Sequence, residues 1–253
     1  LLQIIKENRG CACFSDIFEL SLMDKSKVCE LIFEIFQERP MAEMIDTLEL
    51  EAPKRKNVPP AAPKTVPFGR LPIEQRTDVT VDELERTSLP YNAELYNGKV
   101  VFKMANPAHG MIQTNIAGEL KFYLRQNPIG YAMTETNFKL WPDRPKESRI
   151  PDVAFVKKER MPEDLFRFPP IAPDLAVEVY SPDDKLSEVL DKIEAYLAQG
   201  AQIVWLIIPH TREALVFTAG SRYKVVDVLT APDLLPGFEL PVSKIFEGIP
   251  VPD

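Results

Sequence analysis

Two short runs of alternating apolar residues, each carrying one acid, set the pattern of this chain. In Ile150-Pro151-Asp152-Val153-Ala154-Phe155-Val156, strand alternation puts Val153 and Phe155 on one face and Asp152, Ala154 and Val156 on the other. In Pro173-Asp174-Leu175-Ala176-Val177-Glu178-Val179-Tyr180, Leu175, Val177 and Val179 share a face opposite Asp174, Ala176, Glu178 and Tyr180. Ser181-Pro182-Asp183-Asp184 then leads into a helix with Val189, Ile193, Tyr196 and Leu197 as its packing stripe. Lys185 and Lys192 lie along one side of that helix.

The same pattern reading predicts the surrounding elements. Thr80 with Glu83 starts a short helix to about Ser88 as a capping box. Asn97-Gly98 between Ala93–Tyr96 and Lys99–Met104 predicts a tight hairpin. Asn106-Pro107 caps a helix from about Ala108 to Gln126, with Ile112, Ile116, Leu120, Tyr123 and Leu124 on its apolar face. A strand is expected from Tyr131 to Leu140 and a loop from Trp141 to Arg149. The apolar run Gln202–Ile208 reads as a strand buried on both faces. Ala214–Thr218 and Tyr223–Val228 read as a hairpin, and Leu234–Pro241 as a turn and short strand with Ile245-Phe246 packing after it. The fold class is α/β: a mixed sheet with helices on its faces.

Ahead of this lie two different stretches. Residues 1–50 have the periodicity of three short helices, the third built on Val28, Leu31, Ile32, Ile35 and Phe36. They suit a helix-turn-helix or a small packing or dimerisation module, and Glu30, Glu34 and Glu38 on the third helix favour the latter because they repel phosphate. Residues 51–72 hold Pro53, Pro59, Pro60, Pro63, Pro67 and Pro72, the composition of an extended tether. The main domain is expected over residues 73–253.

Composition narrows the function. The formal charge is −8, which opposes wrapping a nucleic-acid backbone and restricts any such contact to a local groove. No apolar run reaches the roughly 18 residues of a transmembrane helix. The opening residues lack the layout of a signal peptide, and Cys11, Cys13 and Cys29 form an odd set with no nearby fourth ligand. A reducing, cytoplasmic location is expected.

The chemistry lies with the two acids. An acid on a strand built of Ala and Val is costly to bury unpaired. A divalent cation or a lysine would pair with it. Asp152 and Glu178 together suit Mg²⁺ or Mn²⁺, with a lysine at a phosphate; they equally suit a salt-bridged cluster tying helix to sheet. Residue types alone leave both open.

From about Tyr91 to Phe246 the chain resembles the Uma-type endonuclease family of the PD-(D/E)xK nuclease superfamily. The resemblance rests on Glu94-Leu95-x-x-Gly98, His109 at a helix start, Pro151–Val156, Pro173–Pro182, Lys192-x-x-x-Tyr196-x-x-x-Gly200, Trp205 and Leu235-Pro236-Gly237-Phe238. It implies a restriction-endonuclease-like fold and Mg²⁺-dependent (or Mn²⁺-dependent) cleavage of DNA. Asp152 and Glu178 would then be metal ligands and Lys192 would act at the scissile phosphate, ahead of Lys185. Glu94 and His109 would stand near the site. The superfamily's usual lysine position is Tyr180 here. Asn97-Gly98-Lys99 also departs from the family's frequent Asp-Gly-Glu. A catalytically silent nuclease scaffold, acting through its N-terminal helices, is the alternative. A homodimer would set two sites on the two strands of a duplex.

Overall fold

Asn97 and Gly98 both adopt positive φ, at 49° and 77°, which a two-residue hairpin turn demands. They join β1 (Ala93–Tyr96) to β2 (Lys99–Phe102) in an antiparallel pair. The computed structural model describes residues 71–181, 184–225 and 227–250. The helices expected over residues 1–50, nearly all of the proline-rich segment and the three cysteines lie outside them.

Thr80 caps α1 (Val81–Arg86) by accepting from the Glu83 amide at 3.2 Å. The Glu83 carboxylate pairs with the Arg76 guanidinium, at 2.6 and 3.1 Å. Val81 and Leu84 pack with Leu95 and Val100 of the hairpin in a small core of their own.

The main layer is a six-stranded sheet in the order β3-β4-β5-β6-β7-β8. Its strands are β3 (Gly130–Thr134), β4 (Val153–Lys157), β5 (Leu175–Val179), β6 (Ile203–Ile208), β7 (Glu213–Phe217) and β8 (Arg222–Val225). Only β5 and β6 run parallel, so a crossover helix must join them, and α3 (Leu186–Ala198) does so. The other neighbours are antiparallel. A second antiparallel pair, β9 (Val228–Thr230) with β10 (Glu239–Pro241), precedes the short α4 (Val242–Ile245).

The alternation of the two acid-bearing strands decides which side is the core. α2 (Pro107–Gln126) lays Ile112, Ile116 and Leu120 against Val153, Phe155, Leu175, Val177 and Val179. Trp205 stacks on Phe238 there, with a centroid distance of 6.3 Å. The opposite face, bearing Glu178, meets Lys192 and Tyr196 of α3.

Two expectations are corrected. The strand predicted over Tyr131–Leu140 stops at Thr134, because Glu135 turns to a left-handed φ of 50° and leaves the ladder; Phe138 makes only an isolated bridge to Arg149. The strand predicted over Tyr223–Val228 ends at Val225, and Val228 opens β9, which belongs to another sheet. No helix among the described residues is long and apolar enough to cross a membrane.

Candidate active site

Asp152 ends the approach to β4 and is 1% exposed. Its Oδ2 accepts from the Val179 amide on β5 at 2.6 Å, so the strand pairing itself orients the carboxylate. Oδ1 accepts from Lys103 Nζ at 2.5 Å and lies 3.2 Å from His109 Nε2. Glu178, 5% exposed, has one oxygen held by Lys192 Nζ and the other by the Tyr196 hydroxyl, each at 2.8 Å. Lys192 and Tyr196 are one helical turn apart and so reach down from the same side of α3. Glu94 on β1 accepts from the Ile150 amide at 2.9 Å and stands 3.6 Å from Lys192 Nζ. The Ile150 carbonyl accepts from both Lys103 and Lys192, at 2.9 and 3.2 Å. Two lysines and three carboxylates thus converge on the chain just before β4.

The electrostatics divide the two central acids. Burial opposes the charge on Asp152, but Lys103 and His109 outweigh it and hold the carboxyl well below the usual range. For Glu178 burial dominates, despite Lys192 and Lys103, and its pKa is raised. Burial pulls the Lys192 ammonium towards neutrality, but Glu178, Glu94 and Asp152 more than reverse this and its pKa is raised. Tyr196, raised by burial and by Glu178, stays a hydroxyl donor. For His109, burial lowers and the Asp152 contact raises, with a net rise.

A cleft of about 430 Å³ opens beside this cluster. Lys103, His109, Gln113 and Glu135 form its inner wall, and Tyr91, Asn92 and Met104 are among its outer residues. Gln113 on α2 donates to the Asp152 carbonyl at 2.9 Å and to Glu135 Oε1 at 3.3 Å. Asn92 donates to the other Glu135 oxygen at 3.3 Å. The left-handed turn at Glu135 that ends β3 is what brings this carboxylate to the cleft. One ligand atom each from His109, Glu135 and Asp152 lie within 4.8 Å of one another.

Of the residues expected here, Asp152, Glu178, Lys192, Glu94 and His109 all meet in one cluster. Lys185 does not: it stands at the N-cap position of α3 without a side-chain capping bond and pairs with Glu188 at the surface at 2.8 Å. Lys192 is enclosed at 7% exposure, and the lysine that lines the cleft is Lys103. Asn97, Gly98 and Lys99, where the chain departs from the family pattern, are not among the cleft-lining residues. Lys103, Glu135 and the hydroxyl role of Tyr196 were not foreseen. Only Tyr196 left a signal, four residues after Lys192 and so on the same helix face.

A mixed sheet with a helical crossover between its parallel strands, an acid on β5 and another just ahead of the adjacent β4, fits the restriction-endonuclease-like class. The chain belongs to the Uma2 family, described as "Putative restriction endonuclease", which matches residues 81–243. It shares its fold with the crystal structure of a "putative nuclease belonging to DUF820" from Anabaena variabilis ATCC 29413, at TM-score 0.55 and 24% identity, covering 66% of this chain and 97% of that one. A DrdV–DNA complex aligns at TM-score 0.25 and 14% identity, over 56% of this chain and 14% of that one. No curated protein matches the chain.

Proposed function

We propose that this chain is a divalent-metal-dependent endonuclease hydrolysing phosphodiester bonds of DNA. The observation that carries the reading is the charge balance of the buried cluster. Four carboxylates, Glu94, Asp152, Glu178 and, at the cleft edge, Glu135, gather around two ammonium groups, Lys103 and Lys192, and the His109 imidazole. Buried carboxylates in excess of their ammonium partners call for a cation. The donors fit one, Mg²⁺ or Mn²⁺: carboxylate oxygens on Asp152 and Glu178, and a buried His109 Nε2 with no hydrogen-bond partner.

Once bound, such a cation lowers the pKa of a water and polarises a phosphoryl oxygen. The chain's own residues prepare the site for this. The Val179 amide fixes one oxygen of Asp152 and leaves the other towards Lys103 and His109. Lys192 and Tyr196 fix both oxygens of Glu178 and compensate its charge. Lys103, on the cleft wall, meets the phosphate and offsets its negative charge, while Lys192 serves from behind. DNA is the partner class, and a homodimer would offer one site to each strand.

Supercoiled plasmid is expected to be nicked in Mg²⁺ or Mn²⁺ and left intact in EDTA. Asp152→Asn and Glu178→Gln should abolish nicking with an unchanged far-ultraviolet dichroism spectrum. If the wild type cleaves neither duplex DNA, single-stranded DNA nor RNA with either metal, the reading is lost. One observation, the formal charge of −8, favours a second reading: a nuclease scaffold that binds or regulates without cleaving. Binding that persists in Asp152→Asn, with no cleavage by the wild type, would select it.

A further inference from the structure

The cleft wall carries a nitrogen donor that the acid pair alone does not account for. His109 is 6% exposed, and its Nε2 has no hydrogen-bond partner although it stands 3.2 Å from Asp152 Oδ1. The ring is held from behind: Nδ1 lies 3.2 Å from Ser181 Oγ, so Nε2 is the nitrogen aimed at the acids. The backbone holds it as well, since the His109 amide is capped by Asn106 at the start of α2. Glu135 completes the group, with its ligand atom and those of His109 and Asp152 all within 4.8 Å of one another. Two ligands at neighbouring positions on a first-row metal, each about 2.1 Å from it, stand roughly 3 Å apart. The His109–Asp152 separation has that value. Each oxygen of Glu178, in contrast, already accepts from a buried donor on α3.

We infer that this chain carries a cleft-facing metal centre built from His109, Glu135 and Asp152, which takes a first-row transition-metal dication such as Mn²⁺ in preference to Mg²⁺. The inference rests on the metal-dependent reading above for the purpose of the metal and revises its ligand set, putting Glu135 in the place of Glu178. The preference follows from the donor set. Mg²⁺ is a hard ion that takes oxygen ligands and keeps its waters, whereas an imidazole donor adds affinity for first-row transition metals, least for Mn²⁺ and more along the row. A site of carboxylates alone would gain no such bias. Lys103 Nζ already lies 2.5 Å from Asp152 Oδ1, the oxygen that also faces His109 Nε2, so a metal bound there would compete with Lys103 for one oxygen. Metal binding therefore frees Lys103 for an anionic group in the cleft.

Pulsed electron paramagnetic resonance on the full chain with stoichiometric Mn²⁺ tests this directly. The sequence has two histidines, His109 and His210, so assignment is simple. A ¹⁴N coupling from a directly bound imidazole is expected in the wild type, kept in His210→Asn and lost in His109→Gln. Calorimetry should show Mn²⁺ affinity falling by at least about 10-fold in His109→Gln and in Glu135→Gln, and an equal concentration of Mg²⁺ should leave the Mn²⁺ in place. The inference is overturned if bound Mn²⁺ shows no nitrogen coupling, if His210→Asn removes it, if equal Mg²⁺ displaces Mn²⁺, or if no stoichiometric Mn²⁺ binds. It is equally overturned if Glu178→Gln, and not Glu135→Gln, weakens binding. The wild-type spectrum decides even where a variant fails to fold. Nitrogen coupling without cleavage would sink the nuclease reading and leave the centre standing; cleavage without the coupling would do the reverse.

Discussion

Asp152 and Glu178 are alike in burial and opposite in charge preference, and the difference comes from their partners. Asp152 meets an ammonium and an imidazole on one oxygen and an amide on the other. Its folded pKa is depressed, so it contributes stability above its unfolded value near 3.9 and loses it as the pH falls through the folded value. Chemical-denaturation midpoints measured from about pH 5 down to pH 2 should therefore fall less steeply in Asp152→Asn than in the wild type; parallel curves would contradict this. Glu178 depends on Tyr196 for one of its two donors. Tyr196→Phe leaves a buried acceptor unsatisfied and should cost about 1–3 kcal/mol in urea unfolding, with a lower cleavage rate. Both acids could be read from alternation and from the expense of burying a charge, whereas Lys192 was singled out from Lys185 by the family resemblance. Lys103 and Glu135 could not, because their closeness to Asp152 depends on how distant segments pair, and nothing local in Val101-Phe102-Lys103 or Thr134-Glu135-Thr136 marks it.

At the scale of elements, the strands with strict alternation or continuous apolar runs were legible, and so were the hairpin at Asn97-Gly98 and the long helix with its Asn106 cap. The end of β3 was not, since a left-handed residue at Glu135 carries no glycine to announce it. The start of β3 is fixed by a residue that does: a Cβ on Gly130 would stand 2.4 Å from both the Phe155 ring and the Val156 carbonyl oxygen. Backbone cannot yield there as a flexible side chain would. Gly130→Ala should cost about 1–3 kcal/mol in thermal or urea unfolding, and by shifting β3 it should weaken the Glu135 contribution to metal binding. An alanine variant of wild-type stability would show that β3 does not approach β4 as described.

For the molecule as a whole, the net charge of −8 sets the terms on which it can meet DNA. Because that charge opposes wrapping the phosphate backbone, the salt dependence of binding should be shallow for a DNA-binding protein. The divalent cation, rather than a basic groove, should control affinity. Binding to a short duplex, followed by anisotropy in Ca²⁺ or EDTA across a salt series, is expected to need the cation and to show a small slope; tight, steeply salt-dependent binding in EDTA would point to a basic surface instead. The most direct test of the central claim is single-turnover cleavage of labelled duplex and single-stranded DNA by the full chain, in Mn²⁺ and in EDTA, beside Asp152→Asn. Metal-dependent cleavage is predicted for the wild type, with the variant reduced by more than the roughly 100-fold that loss of an outer-shell partner costs. Equal cleavage by the two proteins, or cleavage undiminished in EDTA, would contradict it.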